Sequence, residues 1–170
     1  MNNILEKLSS YQILINILPG AFVVSMLRFL GLNIPTGDVF HNILLYYFIG
    51  LIISRISSLV VEPSLRRCGL IKFKPLSDYI KAEKTDAKIA VLSEINNCFR
   101  SFLTGSLILP VAIGLFNLYL KWTWFSMNWQ WLAMLFFVVL FFLSYRKQSK
   151  YVSDRVEKAN DGQSYDTTSS

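Results

Sequence analysis

The residues able to do chemistry are few and scattered. Arg28 and Arg55 stand inside long apolar runs. A cation there either snorkels to the interface along its own stem or lines a path for anions. Glu62 follows Arg55 by seven residues, about two helical turns, with Ser58 between them. The three form a polar strip if the run is a plain α-helix. Lys81, Lys84 and Lys88 fall on one side of a helix, which suits a solvated face, a partner protein or anionic lipid. Asp78, Glu83, Asp86 and Glu94 dilute their field, so direct nucleic-acid binding is not expected. Cys68, Cys98 and the single His41 have no metal-ligand spacing and no disulfide framework. There is no Gly-rich phosphate loop, HExxH or GxSxG. Catalytic residues, metals and cofactors are therefore not expected, and enzyme chemistry is the disfavoured class.

The elements that must position these residues are apolar. The chain has 170 residues, 53% of them hydrophobic and 16% charged, too apolar for an ordinary soluble domain. A membrane-crossing helix needs about 20 apolar residues, and four stretches qualify: 11–32, 41–61, 99–120 and 129–145. The fold class expected is all-α, four transmembrane helices with a cytoplasmic helical segment between the second and third. The boundaries are 1–62 for the first helix pair, 63–98 for the segment, 99–145 for the second pair and 146–170 for a polar tail, disordered over its last ten residues. The first apolar run is long, holds Arg28 and lacks a small-residue cleavage site, so it reads as an uncleaved anchor.

Within the spans, Pro19, Gly20 and Pro110 are kink signals, and a break at Pro19 would line a site. Gly50, Ser54 and Ser58 make a small-xxx-small stripe for close helix packing. In the segment, 63–75 reads as irregular. A helix capped by Ser77 is expected from there, running unbroken into the third span. Trp122, Trp124, Trp129 and Trp131 mark one interface. The net charge is +6, and 13 of the 17 cations lie in the tail and in the segment taken on to Arg100, while the 33–40 loop has no cation and the 121–128 turn has one. The positive-inside rule places both termini and the segment in the cytoplasm of a bacterial inner-membrane protein.

In layout the chain resembles the small multi-pass membrane proteins encoded beside bacterial anti-phage systems, including those that accompany retron reverse transcriptases. The resemblance rests on YQILINILPG at 11–20, SSLVVEP at 57–63 and the charged helix at 77–100 between two helix pairs. It implies an effector that a partner holds silent, and that damages the inner membrane when infection is sensed. The expected partners are the lipid bilayer, a regulatory protein or ribonucleoprotein at Lys81, Lys84 and Lys88, and further copies of the chain. A transport, channel or sensor subunit is the alternative reading.

Overall fold

A computed structural model describes the backbone of residues 2–30, 34, 37–120 and 128–168, and side chains within 13–30, 34, 37–114 and 131–161. Trp122 and Trp124, and the side chain of Trp129, lie outside these. Helix is the regular structure of the described residues, among which there is no strand. The helices are α1 (Asn2–Phe29), α2 (Val39–Ile56), a π-helical turn (Ser57–Val61), α3 (Glu62–Arg67), α4 (Leu76–Thr85), α5 (Lys88–Leu120) and α6 (Asn128–Thr168). Three continuous helices are long and apolar enough to cross a membrane: Val39–Arg67, Lys88–Gly114 and Trp131–Asp161. The apolar part of α1, Ile13–Phe29, is shorter. Phe48, Ile52, Leu59, Leu132 and Phe136 are exposed along these helices. An apolar surface of that extent fits a membrane protein.

α1 and α2 meet at two glycines. A Cβ on Gly50 would lie 1.7 Å from the Asn16 carbonyl oxygen, and one on Gly20 would lie 1.8 Å from that of Tyr46. Each glycine therefore admits the backbone of the opposite helix. Beyond this contact, Val23, Ile53 and Leu109 bury together, as do Leu30, Ile113 and Met134. Phe22 packs edge-on against Phe102, Phe137 and Phe141. α1 runs through Pro19 without a break. The missing proline N–H frees the Ile15 carbonyl, and the Cys98 thiol approaches that oxygen at 3.9 Å. α5 likewise runs through Pro110.

Three sequence expectations change. The 63–75 stretch begins as helix, α3, and ends in a Schellman turn: Gly69 (φ 69°) and Leu70 donate to the Arg66 and Leu65 carbonyls. The helix expected to start at a Ser77 cap begins at Leu76, after Pro75 and without a side-chain cap, and it does not run unbroken into the third span. It stops at Asp86, whose extended backbone ends α4 and whose carboxylate accepts the Lys88 N–H, capping α5. Finally, the polar tail continues α6, and the backbone is helical as far as Thr168 where composition favours disorder.

Together α4, the first turns of α5 and the last turns of α6 make a second packed unit, the head. Ala82, Ile89, Val152 and Val156 are its core, with Tyr79, Leu92 and Ala159 around them. Gly50→Ala should destabilise the protein in detergent by about 1–3 kcal/mol, because backbone must move to admit the methyl. Ser58→Leu, on an exposed position, should change it by less than about 0.5 kcal/mol. Thermal unfolding of the purified variants checks both, and equal effects would contradict the α1–α2 contact.

Candidate functional site: the junction of bundle and head

The polar strip expected at Arg55, Ser58 and Glu62 does not form as one face. At 3.6 residues per turn, each four-residue step drifts about 40°. From the buried Gly50, Ser54 is thus half-buried and Ser58 is exposed. Arg55 points away from the bundle and is exposed. Glu62 behaves differently because of the π-helical turn. Pro63 has no N–H and its ring clashes with the carbonyl four residues back. The turn widens instead, and the Glu62 N–H donates to the Ser57 carbonyl, five residues back. One extra residue per turn rotates the helix beyond it by about 100°. In a straight α-helix Glu62 would lie about 120° from Gly50; the π turn brings it within about 20°. Proline geometry thereby turns the carboxylate inward.

There it meets two arginines. Arg66, four residues on, reaches Glu62 Oε1 at 2.7 Å, and Arg100 of α5 pairs with Glu62 Oε2. The Arg100 and Glu62 side chains are 12% and 17% exposed, so the pair is largely withdrawn from water, while Arg66 is half exposed. The Arg66 guanidinium also lies 4.3 Å from the Phe73 ring centre, a cation–π contact that ties the segment after the Schellman turn to the same cluster. Ile71, Leu103 and Tyr145 close the layer beneath. An open cavity of about 690 Å³ adjoins the cluster, with Arg100, Glu62, Tyr79 and Asn97 among its lining residues.

Polar contacts then lock the head. Ser149 donates to Asn96 at 2.9 Å in a buried contact, and Ser153 donates to the Lys72 carbonyl at 3.2 Å. Asp86 pairs with Arg155 at 2.6 Å, and Lys74 pairs with Glu157 at 3.1 Å. The Arg155 guanidinium holds the Asp86 carboxyl below its ordinary value, against an opposing effect of burial and with added help from the Lys88 N–H. The pairings among these residues were not legible in the sequence. The signal available was T-D-x-K, an N-cap pattern.

The other expected sites are dispersed. Lys81, Lys84 and Lys88 are all exposed, on the head. Pro19 is buried, and Gly20 is buried against α2. Arg28 does not snorkel outward: its Nη1 donates to the Tyr46 hydroxyl at 3.4 Å, and its Nε and Nη2 are buried without a partner. His41 is occupied by the α2 N-cap Asp38, at 2.5 Å. Among the described residues no three His, Cys, Asp or Glu side chains gather as a metal site would require. No protein family, curated protein or solved structure matches this chain.

This geometry sets two expected outcomes. Glu62→Gln leaves Arg100 largely buried without its counter-charge and should cost about 3 kcal/mol. Combined with Arg100→Gln, the loss should fall short of the sum by at least about 1 kcal/mol. Strict additivity in thermal or denaturant unfolding would contradict the pair. For Asp86 the folded pKa lies below the unfolded one, so its stabilisation is complete above the ordinary value of 3.8 and is lost as pH falls through the folded value. Hydrogen-exchange protection of α4 should therefore weaken in acid below about 3.8, and Asp86→Asn should show weakened protection already at neutral pH.

Proposed function

We propose that the chain is a four-pass protein of the bacterial inner membrane, with the head and both termini in the cytoplasm, and that it acts there as a membrane effector. α1 supplies the additional pass; it packs along α2 and α5. The orientation is supported by the cations of the junction and head against the cation-free 33–40 loop.

The observation that carries the functional reading is Arg55. It is exposed on the outer side of a helix long and apolar enough to cross a membrane, with the exposed Ser58 three residues away. Such a face is costly in lipid. Other copies of the chain cover it, since small and polar residues drive helix association in bilayers. A ring of Arg55 side chains between copies gives a hydrated, cation-lined path through which the membrane potential dissipates.

Restraint comes through the head. α4 presents Leu76 and Ile80, both exposed, beside the exposed Lys81 and Lys84. This mixed apolar and basic surface fits an acidic regulatory protein or ribonucleoprotein. The helices α5 and α6 run without interruption from bundle to head, so a partner bound on α4 acts on the same rods that pack the spans. The layout shared with membrane proteins of anti-phage systems supplies the setting, in which infection removes the partner.

Expression without a partner should depolarise cells and stop growth, read with a potential-sensitive dye. Arg55→Leu should weaken depolarisation at least about tenfold while leaving membrane insertion intact, a change of about 1.4 kcal/mol in the open path. Full potential in cells with confirmed membrane-inserted protein would overturn the effector reading. It would favour a sensor subunit, for which the continuous helices are equally suited.

A further inference from the structure

A second groove, about 550 Å³, lies on the other side of α6, where its apolar turns end. Its cations are Lys72, Lys74, Arg146, Lys147 and Lys150, and its one acid is Asp154. Lys74 is engaged by Glu157. The other four cations have no ion pair among the described residues. Lys72 is fixed in place by backbone, since Ser153 donates to its carbonyl.

The groove continues a particular stripe. Phe136, Leu140 and Leu143 recur at four- and three-residue spacing on α6 and are all exposed, and the same spacing then gives Lys147 and Lys150. One helix face therefore changes from apolar to cationic at Leu143, which itself forms the lip of the groove. From Leu132 to Leu143 the stripe is about 16 Å long at 1.5 Å per residue, close to half the roughly 30 Å hydrocarbon thickness.

We infer that this groove is a binding site for the headgroup of an anionic phospholipid, whose acyl chains lie along Phe136, Leu140 and Leu143. The charge sets the class: four unpaired cations against one carboxylate select a phosphate without a compensating ammonium. The adjoining apolar stripe selects a lipid over a soluble phosphate, because only an amphiphile satisfies both parts of the face. Basic pockets between helices at the cytoplasmic level of a membrane bind headgroups in this way. The inference rests on the membrane placement proposed above, though not on effector activity.

The test uses the full chain in nanodiscs of mixed phosphatidylglycerol and phosphatidylcholine, with partial delipidation and quantification of the lipid retained. Recovery of protein in the disc fraction reads membrane placement by itself, and its failure overturns that placement. Given insertion, retained lipid should be enriched in phosphatidylglycerol over the input ratio. K147Q/K150Q should reduce this enrichment by about tenfold or more, whereas K147R/K150R should keep it. K81Q/K84Q, with the same loss of net charge on the head, should keep it as well. No enrichment, or equal loss in K147Q/K150Q and K81Q/K84Q, would overturn the site. Displacement of phosphatidylglycerol by glycerol 3-phosphate would overturn the lipid as occupant and leave a soluble phosphate in its place.

Discussion

The Glu62 carboxylate is the interaction on which the two halves of the molecule depend. It leaves the apolar bundle at the end of a long helix and is clamped by Arg100, which stands where α5 passes from head to bundle. A charge so little exposed is tolerable only with its counter-charge in place. Its position is not a consequence of helical periodicity. Pro63 forces a π-helical turn, the turn rotates Glu62 inward, and the arginines then find it. Phe73, through Arg66, and Tyr145, in the layer beneath, are organised around the same point. Without the π turn the carboxylate would face outward, and its contact with Arg100 of α5 would be lost.

Much of the helical architecture was legible in the sequence, because long apolar runs allow little else. Three of the four expected spans appear as helices long and apolar enough to cross a membrane, and α1 carries a shorter apolar stretch. The close packing of Gly50 was likewise legible, but its partner Gly20 read only as a kink signal. Within the chain the small-residue stripe turns outward beyond Gly50, because a four-residue repeat drifts around a 3.6-residue helix. The strip at Arg55, Ser58 and Glu62 failed because a proline effect two residues downstream of Val61 was not carried back into the register. The head was the least legible part. Its core of Ala82, Ile89, Val152 and Val156 joins residues some 70 positions apart in sequence, drawn from three helices. Asp86 is a single capping residue, easily lost among the neighbouring charges, yet it divides one expected rod into two helices.

In the proposed arrangement, two unbroken helices join a membrane bundle to a cytoplasmic head. Such a joint resists independent motion of the two parts. Binding energy gained on α4 or in the groove beside Lys147 therefore bears on helix packing within the spans, to the extent that the two packings differ in affinity for the ligand. In that proposal the exposed Arg55 is the place in the bundle where a change of association alters the membrane. The buried and partnerless nitrogens of Arg28, at the far end, mark a second polar point inside the helices.

All of this requires that the junction faces the cytoplasm. Cys68 is exposed, at the turn after α3, and reports on that directly. In a Cys98→Ser background, a membrane-impermeant maleimide should label Cys68 in inverted membrane vesicles and not in intact spheroplasts, while Asp38→Cys in a chain that also carries Cys68→Ser and Cys98→Ser should show the opposite pattern. Labelling of Cys68 in intact spheroplasts would put the junction and head outside, and would contradict the account at its base.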